Sequence, residues 1–201
     1  MYTPKHFEWT DTANILAFMR ANSFAVVVAH GKEGLEAQHI PLLMDEDNGR
    51  FVMHGHVAIA SPLCHEKDVL AIFTGPHAYV SARWYADANM VPTWNYLAVH
   101  TRCRLEVIED AMAVRELFVR LGETFEGTQA KQWWDKLDNS RYEQLAKGIK
   151  WFRLDVIDLQ AKAKLSQNHP LERRKHVIAA LREGGDHDQR AIADAMENWP
   201  A

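Results

Sequence analysis

Cysteine is scarce in this sequence: Cys64 and Cys103 are the only two among 201 residues. Two thiols in a chain of this length make no disulfide framework, so a stapled secreted scaffold is excluded and both are read as reduced cytosolic thiols. Long apolar runs are also missing. The longest, Phe24 to Ala29, falls far short of the roughly 20 residues that cross a bilayer. The opening stretch, Met1 to Trp9, holds no apolar core of a secretory leader. The expected compartment is therefore the cytoplasm, with no membrane partner. Positive charge is not in excess, since 23 Lys and Arg face 27 Asp and Glu, for a net charge of -4 with the histidines neutral. An overall basic surface for non-specific nucleic-acid binding is absent, although a local patch is allowed. Neither Gly-x-Gly-x-x-Gly nor a P-loop occurs.

What remains is ordinary globular material, 47% hydrophobic and 25% charged, long enough to bury a substantial core. We expect one domain over 1–201, with C-terminal helices from about 169. Asp11 can cap a first helix whose apolar face is Ile15, Leu16, Phe18 and Met19. Phe24 to Ala29 is a β-branched run that reads as a strand buried on both faces. Gly31 to Gly34 turns the chain, and Leu35 to Met44 reads as one returning strand, limited by Pro41. Asn48-Gly49 is a hairpin signal leading into a strand from Phe51 to Ala60. Ser61-Pro62 can start a short helix. Val69 to Phe73 and the alternating stretch Trp94 to Glu109 are further strands. The period then changes: Asp110 caps a helix through Phe125, and Ser140-Arg-Tyr-Glu143 reads as a capping box. Ile149 to Leu159 is a last strand, followed by helices at about 170–182 and 188–198. About six strands without βαβ alternation argue against a Rossmann sheet and for a mainly antiparallel barrel with peripheral helices, an α+β fold.

Four groups of residues could carry chemistry. His54 and His56 flank Gly55 and, on a strand, share one face, with His39 expected on the preceding strand. They suit a structural role, contact with a phosphate or flavin edge, or a metal; a metal site lacks a third ligand at fixed spacing, and the structural reading weighs most. Gly75 to Tyr85 and Val91 to Tyr96 bring Tyr79, Trp84, Tyr85, Trp94 and Tyr96 close in sequence, which suits a planar-ligand pocket or, equally, a core corner or dimer seam. In Lys162-Ala-Lys-Leu-Ser-Gln-Asn168, alternation puts Lys162, Lys164 and Ser166 on one side. Two ammonium groups and a hydroxyl suit a phosphate, while a solvated strand end is the commoner outcome.

Met1-Tyr2-x-Pro4, His39-Ile-Pro-Leu42, Gly55-His56-x-Ala58, Phe73-x-Gly75-Pro76-x-Ala78-Tyr79, Trp84-Tyr85, Val91-Pro-Thr-Trp-Asn-Tyr96-x-x-Val99-His100 and Lys164-Leu-Ser-Gln-Asn168 occur in that order. Each motif alone is weak, but the ordered set resembles, nearly end to end, the PaiB-like family of FMN-binding negative transcriptional regulators. Ser61, Ala82-Arg83 and Cys103 depart from its pattern. The resemblance implies an antiparallel split β-barrel related to pyridoxamine-phosphate-oxidase-like flavoproteins, a homodimer, and FMN held between subunits. For a flavin-binding protein, the candidate cofactor contacts are His39, His54, Gly55 and His56, then Thr93, Trp94, Asn95 and Tyr96 of the same or the partner chain, and Lys164, Ser166 and Gln167. No catalytic triad or nucleophile–base pair is readable; an enzyme of this kind would be an FMN-dependent oxidoreductase. Two other readings stay open. Arg173-Arg-Lys-His176 with the helices around Gly184-Gly185 superficially resembles a DNA-binding helix-turn-helix, although Asp194 and Glu197 repel phosphate. Eleven histidines also leave axial ligands for haem.

Overall fold

The computed structural model describes residues 1–47, 49–85 and 89–199. Seven strands form an antiparallel sheet: β1 (Phe24–Gly31), β2 (Gly34–Pro41), β3 (Leu43–Asp47), β4 (Arg50–Ala58), β5 (Asp68–Val80), β6 (Thr93–Ile108) and β7 (Ile149–Lys164). Their hydrogen-bonded order is β2-β1-β5-β6-β7-β4-β3. Among the described residues six α-helices accompany them: α1 (Thr12–Ala21), α2 (Ala111–Glu126), α3 (Ala130–Trp134), α4 (Asn139–Lys147), α5 (Leu171–Glu183) and α6 (His187–Asn198). Among the described residues no helix is long and apolar enough to cross a membrane. The chain divides into two compact units, Met1–Asn22 with Phe73–His100 and Gln160–Ala201, and Ser23–Ile72 with Thr101–Leu159.

In the first unit, one face of β5, β6 and β7 packs on the C-terminal helices. Ala78, Val80, Leu97, Ala163 and Leu165 point inward and are buried against Val177 and Leu181 of α5 and Ile192, Ala193 and Met196 of α6. The opposite face therefore presents His77, Tyr79, Trp94, Tyr96, Lys162 and Lys164. Asp186 caps α6 through a capping box with Gln189, and Asp11 caps α1 by accepting from the Asn14 N–H.

In the second unit, β1 pairs with β2 and β5, and β4 with β3 and β7. Four expectations change here. β1 is not buried on both faces: Ala25, Val27 and Ala29 are buried while Phe24 and His30 are exposed, so the run is a one-sided strand. The stretch from Leu35 to Met44 is two strands, because Leu42 turns into the core between them, and the strand count rises to seven. His39 consequently pairs with Val26, and the residue opposite His54 is Leu43. At α4 the cap is Asp138, whose carboxylate accepts from the Arg141 N–H; Ser140 lies inside the helix and donates to that same carboxylate. Asn48 lies outside the described residues, but Gly49 has φ of 74° and Asp47 faces Arg50, as a two-residue hairpin requires.

Candidate functional site

The outer face of β5–β7 in the first unit gathers aromatic and cationic groups. Trp94 is 52% exposed, and its ring lies 6.0 Å from Tyr79 edge-on and 5.9 Å from His77. Lys164 donates to the Thr93 hydroxyl and, at 2.8 Å, to the Trp94 carbonyl, so its ammonium is fixed beside the Trp94 backbone. Burial, and then the neighbouring Lys162, lower the Lys164 pKa.

Lys162 is the unusual member. It is only 8% exposed, yet its ammonium meets the Tyr2 carbonyl at 3.2 Å and the Tyr96 ring at 5.4 Å, with no carboxylate in ion-pair range among the described residues. Buried charges are ordinarily paired, because desolvation is costly. The alternation of Lys162-x-Lys164 signals this pair in the sequence. Its burial does not show there, because it depends on the segment around Tyr2 and Glu8 crossing β7.

Ser166 departs from the expected alternation. β7 ends at Lys164, and Ser166 adopts φ of 61°, a left-handed conformation uncommon outside glycine. Its hydroxyl turns inward to Tyr85 at 3.2 Å and to Asn95 at 3.1 Å, and Asn95 also reaches the Met196 sulfur. Gln167 accepts from the Leu165 N–H and donates to the Ala163 carbonyl, both at 2.7 Å. Asn95, Ser166 and Gln167 thus tie their polar atoms to the protein and hold the strand end that carries Lys164.

His39, His54, Gly55 and His56 belong to the other unit. His39 is exposed, its ring 5.7 Å from Phe24. His54 is held at Nδ1 by Asp45 at 2.7 Å, and Asp45 also binds Arg120 of α2. Burial lowers the His54 pKa against the opposing pull of Asp45. Gly55 sits where a Cβ would approach Leu42 Cδ2 and Phe152 Cζ to 2.8 Å each. Sequence reasoning missed Asp45 and Arg120, since a contact between a strand and a distant helix leaves no local signal.

His56 stacks on Trp151 at 4.8 Å, and its Nδ1 is buried with no partner among the described residues. Burial alone holds its pKa below the ordinary 6.5. The folded state therefore resists protonation more than the unfolded chain does. That contribution to stability is complete above about pH 6.5 and is lost as pH falls through the lowered value. We expect the melting temperature to drop between pH 7 and pH 5, and less steeply in His56→Phe, which cannot titrate there. Parallel profiles for the two proteins in a thermal melt series would refute this assignment.

The family described as "Putative FMN-binding domain" matches residues 1–158. Among curated proteins, the chain is 35% identical to "Protease synthase and sporulation protein PAI 2" of Bacillus subtilis over 202 residues, 98% of this chain and 97% of that protein. Among solved structures, it is similar to the FAD and heme binding protein from Mycobacterium smegmatis, with 17% identity, TM-score 0.63 and coverage of 86% of this chain and 79% of that one. The flavocytochrome Anf3 from Azotobacter vinelandii is 15% identical, with TM-score 0.60 and coverage of 94% and 78%. The two structural likenesses establish the antiparallel split-barrel fold, while the family match and the PAI 2 relationship run through most of the sequence, so the chain belongs to the PaiB-like family of FMN-binding split-barrel proteins.

Proposed function

We propose that the outer face of β5–β7 is where this chain holds FMN, and that it acts as a homodimeric cytoplasmic flavoprotein, a redox protein or a flavin-dependent regulator. The observation that carries the reading is the buried Lys162 side chain, with no acid in ion-pair range of its ammonium among the described residues, set next to Lys164 and a half-exposed Trp94. A flavin mononucleotide needs cations for a phosphate of about two negative charges and a flat apolar wall for its ring. Lys162, Lys164 and the Thr93 hydroxyl suit the phosphate; Trp94, Tyr79 and Tyr96 suit the ring. The residues present therefore fit the group. FMN, when bound, supplies one- and two-electron redox chemistry. The protein's part is to hold two ammonium groups in place, keep water off the aromatic wall and anchor the strand end through Asn95, Ser166 and Gln167.

Dimerisation rests on the same face. Tyr79 (45% exposed), Trp94 (52%) and Val91 (72%) would leave apolar surface in water on a monomer, and a two-fold seam would bury it. The free thiols Cys64 and Cys103 are compatible with a reducing compartment. The DNA-binding reading draws less support. Lys175 pairs with Glu172 on α5, while Arg174 donates to the Met196 carbonyl and Arg182 pairs with Asp194 and Glu197 of α6, so these cations are engaged within and between the two C-terminal helices.

Apo protein titrated with FMN is expected to quench flavin fluorescence at one equivalent per chain, and light scattering to report about twice 23.0 kDa. Trp94→Ala should weaken FMN binding roughly ten- to thirtyfold, for loss of about 1.5–2 kcal/mol of ring contact. A wild type that fails to take up FMN, or a 23.0 kDa particle at micromolar concentration, would sink the corresponding half of the proposal.

A further inference from the structure

The second unit carries a cleft of about 640 Å³ that the flavin reading does not use. Its walls come from four elements in the helical excursion between β6 and β7: Val107 and Ile108 at the end of β6, Met112 and Val114 on α2, Ala146 on α4, and Ile149 at the start of β7. Trp151, 1% exposed, forms the floor and packs on Leu43 and Leu117. Met112 stands at the mouth with 83% of its surface exposed, an apolar side chain with no cover. The volume lies within the roughly 300–1,000 Å³ typical of small-molecule sites.

The charges around the cleft narrow what fits it. Arg115, Lys147 and Lys150 are its cations, and Glu109 and Glu143 its acids. Arg115 is occupied, lying 4.9 Å over the Tyr142 ring and donating at 3.5 Å to the Asn139 side-chain Oδ1. Lys147 and Lys150 join no ion pair among the described residues. Three cations against two acids leave one positive charge, which a single negative group balances. The floor also holds an unmet donor, the Trp151 indole N–H, which has no acceptor among the described residues.

We propose that this cleft binds an amphipathic monocarboxylate, a flexible apolar chain ending in one carboxylate, with the chain on Val107, Ile108, Val114, Ile149 and Met112 and the carboxylate at Lys147 and Lys150. An aliphatic wall favours a chain over a polar or sugar-like ligand, because every methylene taken from water contributes to binding. A dianion such as a phosphate monoester fits less well, since the two acids at the rim repel the second charge. The site is independent of the FMN face, so either can fail without the other.

The test uses the full chain as purified and octanoate as probe, followed by isothermal titration calorimetry, with 1-octanol as the neutral counterpart. The wild type should bind one octanoate per chain. The Lys147→Met/Lys150→Met variant should lose roughly tenfold or more in octanoate affinity, with 1-octanol binding unchanged, because only the charge-assisted contact is removed. Ala146→Trp, which fills the cleft, should abolish both. Met112→Trp, which narrows the mouth from an exposed position, serves if Ala146→Trp fails to fold. Circular dichroism and FMN titration should match the wild type in each folded variant. No saturable heat with the wild type, or undiminished octanoate binding in the lysine double variant or in the filled cleft, overturns the proposal.

Discussion

Lys162→Met is expected to bind FMN roughly ten- to hundredfold more weakly than the wild type, the effect of losing one charge-assisted contact of about 1.5–3 kcal/mol, and yet to be at least as stable without the cofactor. The two halves of this result have one cause. In the apo protein the Lys162 side chain is buried, its ammonium beside a carbonyl and an aromatic ring, with no carboxylate in reach among the described residues. Replacing such a charge by an apolar side chain of similar length removes a desolvation cost, which in buried positions is often neutral or stabilising. On the proposed FMN face, the same lysine would meet the phosphate, so its loss would be felt directly in binding. A lysine with only a structural role would behave in the opposite way, lowering apo stability and leaving affinity untouched. Lys164→Met should weaken FMN binding to a similar degree while costing some apo stability, because Lys164 holds Thr93 and the Trp94 carbonyl. Two adjacent cations on one phosphate couple, so the double variant need not equal the sum of the singles. Flavin fluorescence titration with a parallel thermal melt of apo protein separates these outcomes, and an Lys162→Met variant with wild-type FMN affinity would remove the phosphate from this face.

The second large effect is on stability. Gly55→Val should destabilise the fold by about 3 kcal/mol, the upper range for overpacking a well-filled core. In a chain of this size that lowers the melting temperature by roughly 6–12 °C. A β-carbon at Gly55 would lie 2.8 Å from the ends of both Leu42 and Phe152, and two further methyl groups add to the clash. Phe152 is fully buried and Leu42 nearly so, which leaves little room to yield. Leu42→Val shortens one of the two obstacles and should recover part of the loss when combined with Gly55→Val, although alone it creates a small cavity. A double-mutant cycle read by denaturant unfolding would detect that coupling. Additive losses would mean that the close approach at Gly55 is relieved elsewhere. The neighbouring His54 and His56 keep their positions on β4 only if this approach is preserved, so the glycine sets the strand that presents both rings.

Much of this architecture was legible along the chain because it rests on local physics. Alternation in Trp94 to Val107 and in Lys162 to Lys164 fixes which side chains share a face, and Asp11 and Asp110 cap their helices as short polar side chains do. The ordered motifs, from His39-Ile-Pro-Leu42 to Lys164-Leu-Ser-Gln-Asn168, carry the family. Local pattern failed where the deciding contact was distant. Leu42 breaks an apparently continuous strand because its side chain has a place in the core. Ser166 leaves the lysine face because its hydroxyl finds hydrogen-bond partners in Tyr85 and Asn95, which are remote in sequence. Likewise, nothing near Asp45 in the sequence marks it out until Arg120 and His54 close on it. The sequence by itself determined the helix periods, the alternating faces of β6 and the Lys162–Lys164 stretch, and the relationship to FMN-binding proteins, since these depend on residues a few positions apart or on order alone. Only the tertiary structure decided that Lys162 is buried with no acid in ion-pair range among the described residues, that Ser166 is structural in its contacts, and that a cleft lies under α2 and α4, because burial and charge pairing depend on which distant segments come to lie against one another.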